Sequence, residues 1–239
     1  MTPFRLWVYL QTTPLFWLTA TLAAYMIAES LASAARRHPL VNSVAIAVAL
    51  IGTLLKLTGT DYQTYFNGAQ FVHFLLGAAT VALAVPLYRN LEAVKQNLLP
   101  MAAALFVGAI VAVVSALLVA RALGAPHTVL VSLAPKSVTA GVAMAVTETL
   151  GGAPPLTAVL VIATGIFGAV VVTPLMNALK VTDWAARGFA AGLASHGIGT
   201  ARAFSVHPVA GVFAGIAMGL NAVVTPAIIP ALLPWLTGQ

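Results

Sequence analysis

The sequence predicts an all-α polytopic membrane protein, and three observations carry that prediction. Of its 239 residues 61% are hydrophobic and only 7% charged, with mean hydropathy +1.00. Soluble domains carry about a quarter charged residues, so this chain has too few to clothe a water-exposed surface. Its apolar runs are long enough to cross a bilayer. They also lack the β alternation of an outer-membrane barrel, which leaves helices to satisfy the backbone.

The same composition excludes a cytosolic enzyme, a disordered tail and a secreted disulfide scaffold. With no cysteine there is neither a thiolate nucleophile nor a thiolate metal site. The net charge of +6 comes from Lys and Arg scattered singly or in pairs. That pattern orients loops in a membrane and does not form a nucleic-acid face. No cleavable signal is expected, because the apolar stretch after Arg5 runs on as a full span without an A-x-A site.

The first span is expected at 14–33, and Arg36-Arg37 place the loop after it in the cytoplasm. The second, at 39–58, leads to an outer loop from Lys56 through Asn67 that carries Asp61. The third, at 69–88, returns to a cytoplasmic loop with Arg89 and Lys95, and the fourth, at 98–120, runs outward to Arg121. If 127–149 also crossed, Lys180 and Arg187 would lie outside, against the positive-inside bias. Pro135, Lys136 and Ser137 near its middle instead favour a re-entrant hairpin. A span at 154–179 follows, then a second broken segment at 188–205, interrupted at Gly197 and Gly199 and entered from the cytoplasm, then a last span at 208–236. The sum is about six full spans plus two re-entrant or broken helical hairpins. Broken segments of opposite orientation in the two halves are the pattern of an inverted-repeat transporter. Residues 1–239 thus form a single transmembrane domain: an N-terminal span and loop to 38, a first half 39–149 with hairpin 127–149, and a second half 150–239 with hairpin 188–205.

Charged groups at membrane depth cost roughly 2.5–3.5 kcal/mol each and call for a reason. In Pro135-Lys136-Ser137-Val138-Thr139, the proline ends an approach segment and Ser137 is expected to cap a new half-helix. The half-helix amides near Ser137 and Thr139, with the Lys136 ammonium, suit a carboxylate. The alternative is that Lys136 snorkels or pairs with Glu148. In His196-Gly197-Ile198-Gly199-Thr200-Ala201-Arg202, the glycines permit tight geometry and Thr200 is expected to cap a second half-helix. His196 titrates in the range proton coupling needs, or is a hydrogen-bonded structural group, and Glu148 is the second proton candidate. Arg202 either clamps an anion or neutralises carbonyls. Asn67, at a membrane boundary, is a helix cap or a ligand, and Thr80 near mid-span faces the hairpin tips or back-bonds to its own turn. Asn221 and Thr225 are similar cases. Gly211, Gly215 and Gly219, and Gly188 with Gly192, read as close helix contacts within the chain or between protomers.

Catalysis is not expected. The carboxylates lie far apart, the histidines lack metal-ligand spacing, and adjacent Ser195 and His196 on one helix would not face each other. No catalytic residue, metal or cofactor is therefore assigned.

Three motifs occur in order: Ser132-Leu133-Ala134-Pro135-Lys136-Ser137-Val138-Thr139, then Leu156-Thr157-Ala158-Val159 with Thr164-Gly165-Ile166, then His196 through Arg202. With the earlier stretch Leu75 through Tyr88, they resemble the LrgB/CidB family over roughly residues 40 to 236. The family is similar to the membrane half of the plastid glycolate/glycerate translocator, and its bacterial members are described as holin- or antiholin-like regulators of murein hydrolase and autolysis. The resemblance implies a multi-pass protein of the bacterial inner membrane. It implies either a carrier of small monocarboxylates (glycolate, glycerate, pyruvate or lactate), proton-coupled and elevator-like, or a holin-like pore or regulator. For the carrier, Lys136, Ser137, Thr139, Thr200, Arg202, Thr80 and Asn67 would contact substrate. By analogy a homodimer is favoured, and a small LrgA/CidA-type membrane partner is expected. The sequence departs from the family pattern at Ala78, where proline is usual, and at Ala140-Gly141, where Thr-Pro is usual.

Overall fold

The computed structural model describes residues 13–38, 40–82 and 84–237, apart from the side chains of residues 73, 76–80, 84, 86, 87 and 93. Every regular element among them is a helix. In order these are α1 (Pro14–Ala34), α2 (Ser43–Thr58), α3 (Tyr62–Ala82), α4 (Ala84–Arg89), α5 (Leu91–Gln96), α6 (Leu98–Ala122), α7 (His127–Leu133), α8 (Ala140–Thr149), α9 (Pro154–Ala178), α10 (Trp184–Val206) and α11 (Pro208–Thr237). Among the described residues α1, α6, α9 and α11 are long and apolar enough to cross a bilayer.

Two local signals set helix bounds other than those expected. Asn42 accepts a hydrogen bond from the Ala45 amide, and Gly59 ends the helix at φ 64°, so α2 has only 16 residues. At 1.5 Å per residue it reaches about 24 Å. The polar stretch before Gly68, expected as loop, is already helical in α3. Asp61 starts it by accepting from the Thr64 amide, and its hydrogen bonds with Thr64, the side-chain one first, hold its carboxyl below the usual carboxylate range. The expected loop from Arg89 to Asn97 likewise contains α5.

The chain divides into two compact units, Met1–Ala84 and Val85–Gln239, a boundary inside the segment expected as the first half. In the first unit α1 packs on both α2 and α3. Trp17, wholly buried, lies edge-on to Tyr65 at 5.8 Å, and Thr21 Oγ1 donates to the Tyr65 hydroxyl. A side chain at Gly68 would overlap the Pro14 carbonyl, so a glycine is what lets α3 approach α1.

In the second unit α6 and α11 run parallel. Met101 and Leu105 cluster with Phe213 and Ala217 at one end, Val113 and Leu117 with Ile229 and Leu233 at the other, and Arg121 Nη1 donates to the Leu236 carbonyl at 2.8 Å. Between them the chain folds back twice. Thr157 Oγ1 bonds both the Ser132 carbonyl and Thr147 Oγ1, and Ser132 Oγ accepts from the Ala153 amide. Residues on either side of the 134–139 break thus sit at one level, so α7 and α8 are the arms of a hairpin.

α10 is a second hairpin, two helical arms that meet at a break. As a straight helix its 23 residues would reach about 34 Å. Instead Trp184, its first residue, stacks on His207 just past its end, with ring centroids 4.6 Å apart and planes 3° from parallel. The reversal sits at Ser195 (φ −132°, ψ 16°) and His196 (φ 41°, ψ −135°). It falls just before the glycines that the sequence reading made responsible. Gly197 has open room, whereas a side chain at Gly199 would press on Ser195 and the Ala191 carbonyl of the opposite arm. Glycine is required for arm contact, and the turn itself strains a histidine.

Candidate functional site

Each hairpin tip is held by buried polar side chains. Asn221, buried in the middle of α11, donates through Nδ2 to the Ser137 carbonyl on the first tip and to the Leu193 carbonyl beside the second, each at 3.2 Å. Its Oδ1 accepts from Thr225 at 2.6 Å. His196 Nε2 lies 2.9 Å from the Val161 carbonyl of α9 and therefore carries the proton there. Val161 packs in turn on Val138 of the first tip. α9 receives the second tip in a notch of two glycines: a side chain at Gly165 would overlap the His196 ring, and one at Gly168 would overlap Ser195 Oγ.

Beside this notch, along α9 from Thr164 to Met176, runs a half-open pocket of about 300 Å³. Lys136 enters its lining from the first tip, Ser195 from the second, and Thr164 and Gly168 from α9. The rest of the wall is apolar, including Val172 and Met176. Lys136 Nζ approaches Ser137 Oγ at 3.5 Å. Among the described residues the ion pairs are Arg37–Glu29 and Lys95–Glu92, so no carboxylate compensates the Lys136 ammonium. Taking such a charge out of water is costly without an anionic partner.

The expected site residues separate into those this geometry brings together and those it does not. Lys136, Ser137 and His196 gather at the tips. Ser137 is not the helix cap: α8 begins three residues later, with Thr139 at the cap position and no side-chain cap bond. Thr200 does not cap either, because the returning arm of α10 starts at the break itself. Its Oγ1 donates to the His196 carbonyl and lies 3.9 Å from Met218 Sδ. Arg202 lies toward the base of the second hairpin, in a separate recess with Arg187. Glu148 is exposed near the end of α8 and does not pair with Lys136. Asn67 lies inside α3, accepting from Gln63 and Gln70, and is not a cap. The side chain of Thr80 lies outside the described residues. Thr164 and Ser195 line the cavity without having been singled out as ligands, and Asn221 was read only as a low-order candidate. Their sequence signal was a hydroxyl or amide inside an apolar run, which back-bonding produces equally well.

The apolar helices define a helical membrane protein whose two folded-back segments contribute Lys136 and Ser195 to one pocket. Residues 21–235 match the LrgB-like family, and the chain belongs to it. It is similar to the holin-like protein CidB of Staphylococcus aureus (strain Mu50), at 33% identity over 188 residues, 79% of this chain and 82% of that protein. It is 34% identical to the uncharacterized protein YwbG of Bacillus subtilis over 192 residues, 80% of this chain and 85% of that one. The CidB of Staphylococcus epidermidis (strain RP62A) is 31% identical over 217 residues, 91% of this chain and 93% of that protein. No solved structure matches the chain.

Proposed function

We propose that this protein is a carrier of small monocarboxylates in a bacterial inner membrane, of the glycolate, glycerate, pyruvate or lactate class. The observation that supports it most is the Lys136 ammonium, set at a hairpin tip on a cavity of about 300 Å³ with no carboxylate paired to it among the described residues. A short acid would place its carboxylate on Lys136 and its hydroxyl or keto oxygen toward Thr164 and Ser195. His196, fixed through Nε2 on Val161, keeps Nδ1 to take up and release a proton in coupling. The hairpins re-enter from opposite faces in this reading, and the tips move against a dimeric scaffold, with an LrgA/CidA-type protein as further partner. The reading is non-enzymatic.

The relatives named holin-like speak more directly for a second reading, a holin-like pore or regulator. A pore needs a continuous wet path and no saturable site. Uptake of radiolabelled glycolate and pyruvate into proteoliposomes, with a neutral dye to report leakage, separates the two. The carrier predicts saturable uptake, abolished in Lys136→Ala and stimulated by an inward proton gradient except in His196→Ala. Acid and dye passing together, in wild type and Lys136→Ala alike, would establish the pore instead.

A further inference from the structure

The cavity at the hairpin tips does not end at the tips. Along α9 its wall continues through Val172 and Met176 to a narrow recess of about 20 Å³ that shares both residues and Ala191 with it. Arg187 and Arg202 line this recess from the two arms of the second hairpin, together with Trp184 and Thr173. Thr164 and Met176 are twelve positions apart on one helix, which puts the recess about 18 Å from the tips. It therefore lies near the open end of that hairpin, where Trp184 stacks on His207.

Among the described residues no carboxylate pairs with Arg187. Its Nη2 donates to Asn177 Oδ1 at 2.6 Å and to the Thr173 carbonyl at 3.4 Å, and Nη1 donates to the Val181 carbonyl at 3.4 Å. The Val181 bond ties the guanidinium to the α9–α10 loop. All three acceptors are neutral oxygens, and the guanidinium carbon lies 4.9 Å from the Trp184 ring centre. These bonds orient the fork without neutralising it, which is what preorganised anion binding requires.

We infer that Arg187 and Arg202 form a second anion station, at the neck of the cavity, which holds a small carboxylate on its way to or from Lys136. This inference rests on the carrier reading for its ligand class. The recess has room for little more than one water-sized group, so side chains shift when a carboxylate head enters, and bulkier or cationic solutes are disfavoured.

The test uses the full-length protein in proteoliposomes with glycolate as the probe, comparing wild type, Arg187→Gln, Arg202→Gln and the matching Lys variants. Loss of a charge-assisted bond at a binding station is expected to raise KM for glycolate about tenfold in each Gln variant, with Vmax changed far less. The Lys variants should recover most of the difference, and added salt should raise KM in wild type more than in the Gln variants. A merely structural role would lower the folded fraction and Vmax and leave KM and its salt dependence alone, which would overturn the inference. Trp184 supplies a reading that does not depend on transport. Its fluorescence should respond saturably to glycolate, in a component missing from Trp184→Phe, lost in Arg202→Gln and kept in Lys136→Ala. That response without any saturable uptake would sink the carrier and leave the station standing. Saturable uptake with no Trp184 response and unchanged KM in both Gln variants would do the reverse.

Discussion

Asn221 joins the two hairpin tips through one side chain. One amide group satisfies a carbonyl at each hairpin tip, and both carbonyls are otherwise next to chain reversals where helical partners are missing. Asn221→Leu leaves both unpaired in an apolar interior, at about 1–3 kcal/mol of stability for a buried polar group so treated. The midpoint of thermal unfolding in detergent should fall accordingly, and a variant as stable as wild type would show that the tips do not depend on it. Lys136 was legible in the sequence because an ammonium inside an apolar run has few inexpensive places to go. Asn221 was not, because an amide in such a run looks the same whether it bonds its own turn or bridges two distant ones.

The helical hairpins depend on backbone proximity, and the glycines show where. Side chains at Gly188 and Gly192 would collide with the Ala210 and Ala214 carbonyls, backbone atoms that cannot swing aside. Nothing lies within 4 Å of the equivalent position on Gly219. Gly192→Val should therefore push the first arm of α10 off α11, cost roughly 1–3 kcal/mol and reduce the folded peak in gel filtration. Gly219→Ala should be neutral or gain about 0.5–1 kcal/mol from helix propensity. Equal behaviour of the two variants would refute this division. The close-contact role of Gly188 and Gly192 was readable from their spacing. The break was misplaced by a residue or two, because sequence assigns positive φ to glycine and here His196 adopts it. The early start of α3 was missed for a related reason: polar residues at 62–67 read as loop, while a single cap at Asp61 makes them helix.

For the molecule as a whole, the second unit shows which helix ends meet. α6 and α11 finish together at Arg121 and Leu236, while the first hairpin opens toward the start of α9 and the second toward its end. The native chain has no cysteine, so single cysteines report position without background. With the loops oriented by their positive charges, Glu148→Cys should react with an impermeant maleimide only from outside, and Lys180→Cys and Ser205→Cys only from the cytoplasm. Labelling of Glu148→Cys from the cytoplasm would mean that 127–149 crosses the membrane. The all-helical class was legible from composition alone, the first fold-back from charge bias and proline placement, and the second from its glycines. The short length of α2 was not, since it is set by an Asn cap and a left-handed glycine.

The reach of Asn221 along the chain also orders how the protein assembles. Its bond to Leu193 spans 28 residues and its bond to Ser137 spans 84, whereas the contacts inside each hairpin are local. Local contacts form early in synthesis, and distant ones wait for the chain that completes them. Each hairpin is thus able to fold as soon as it is made, and α9 already touches both tips, but their carbonyls are paired only when the middle of the last helix arrives. A ribosome that stops short of Asn221 leaves two preformed halves with unpaired carbonyls at their tips, a state that quality-control proteases distinguish from the finished protein without reading its sequence.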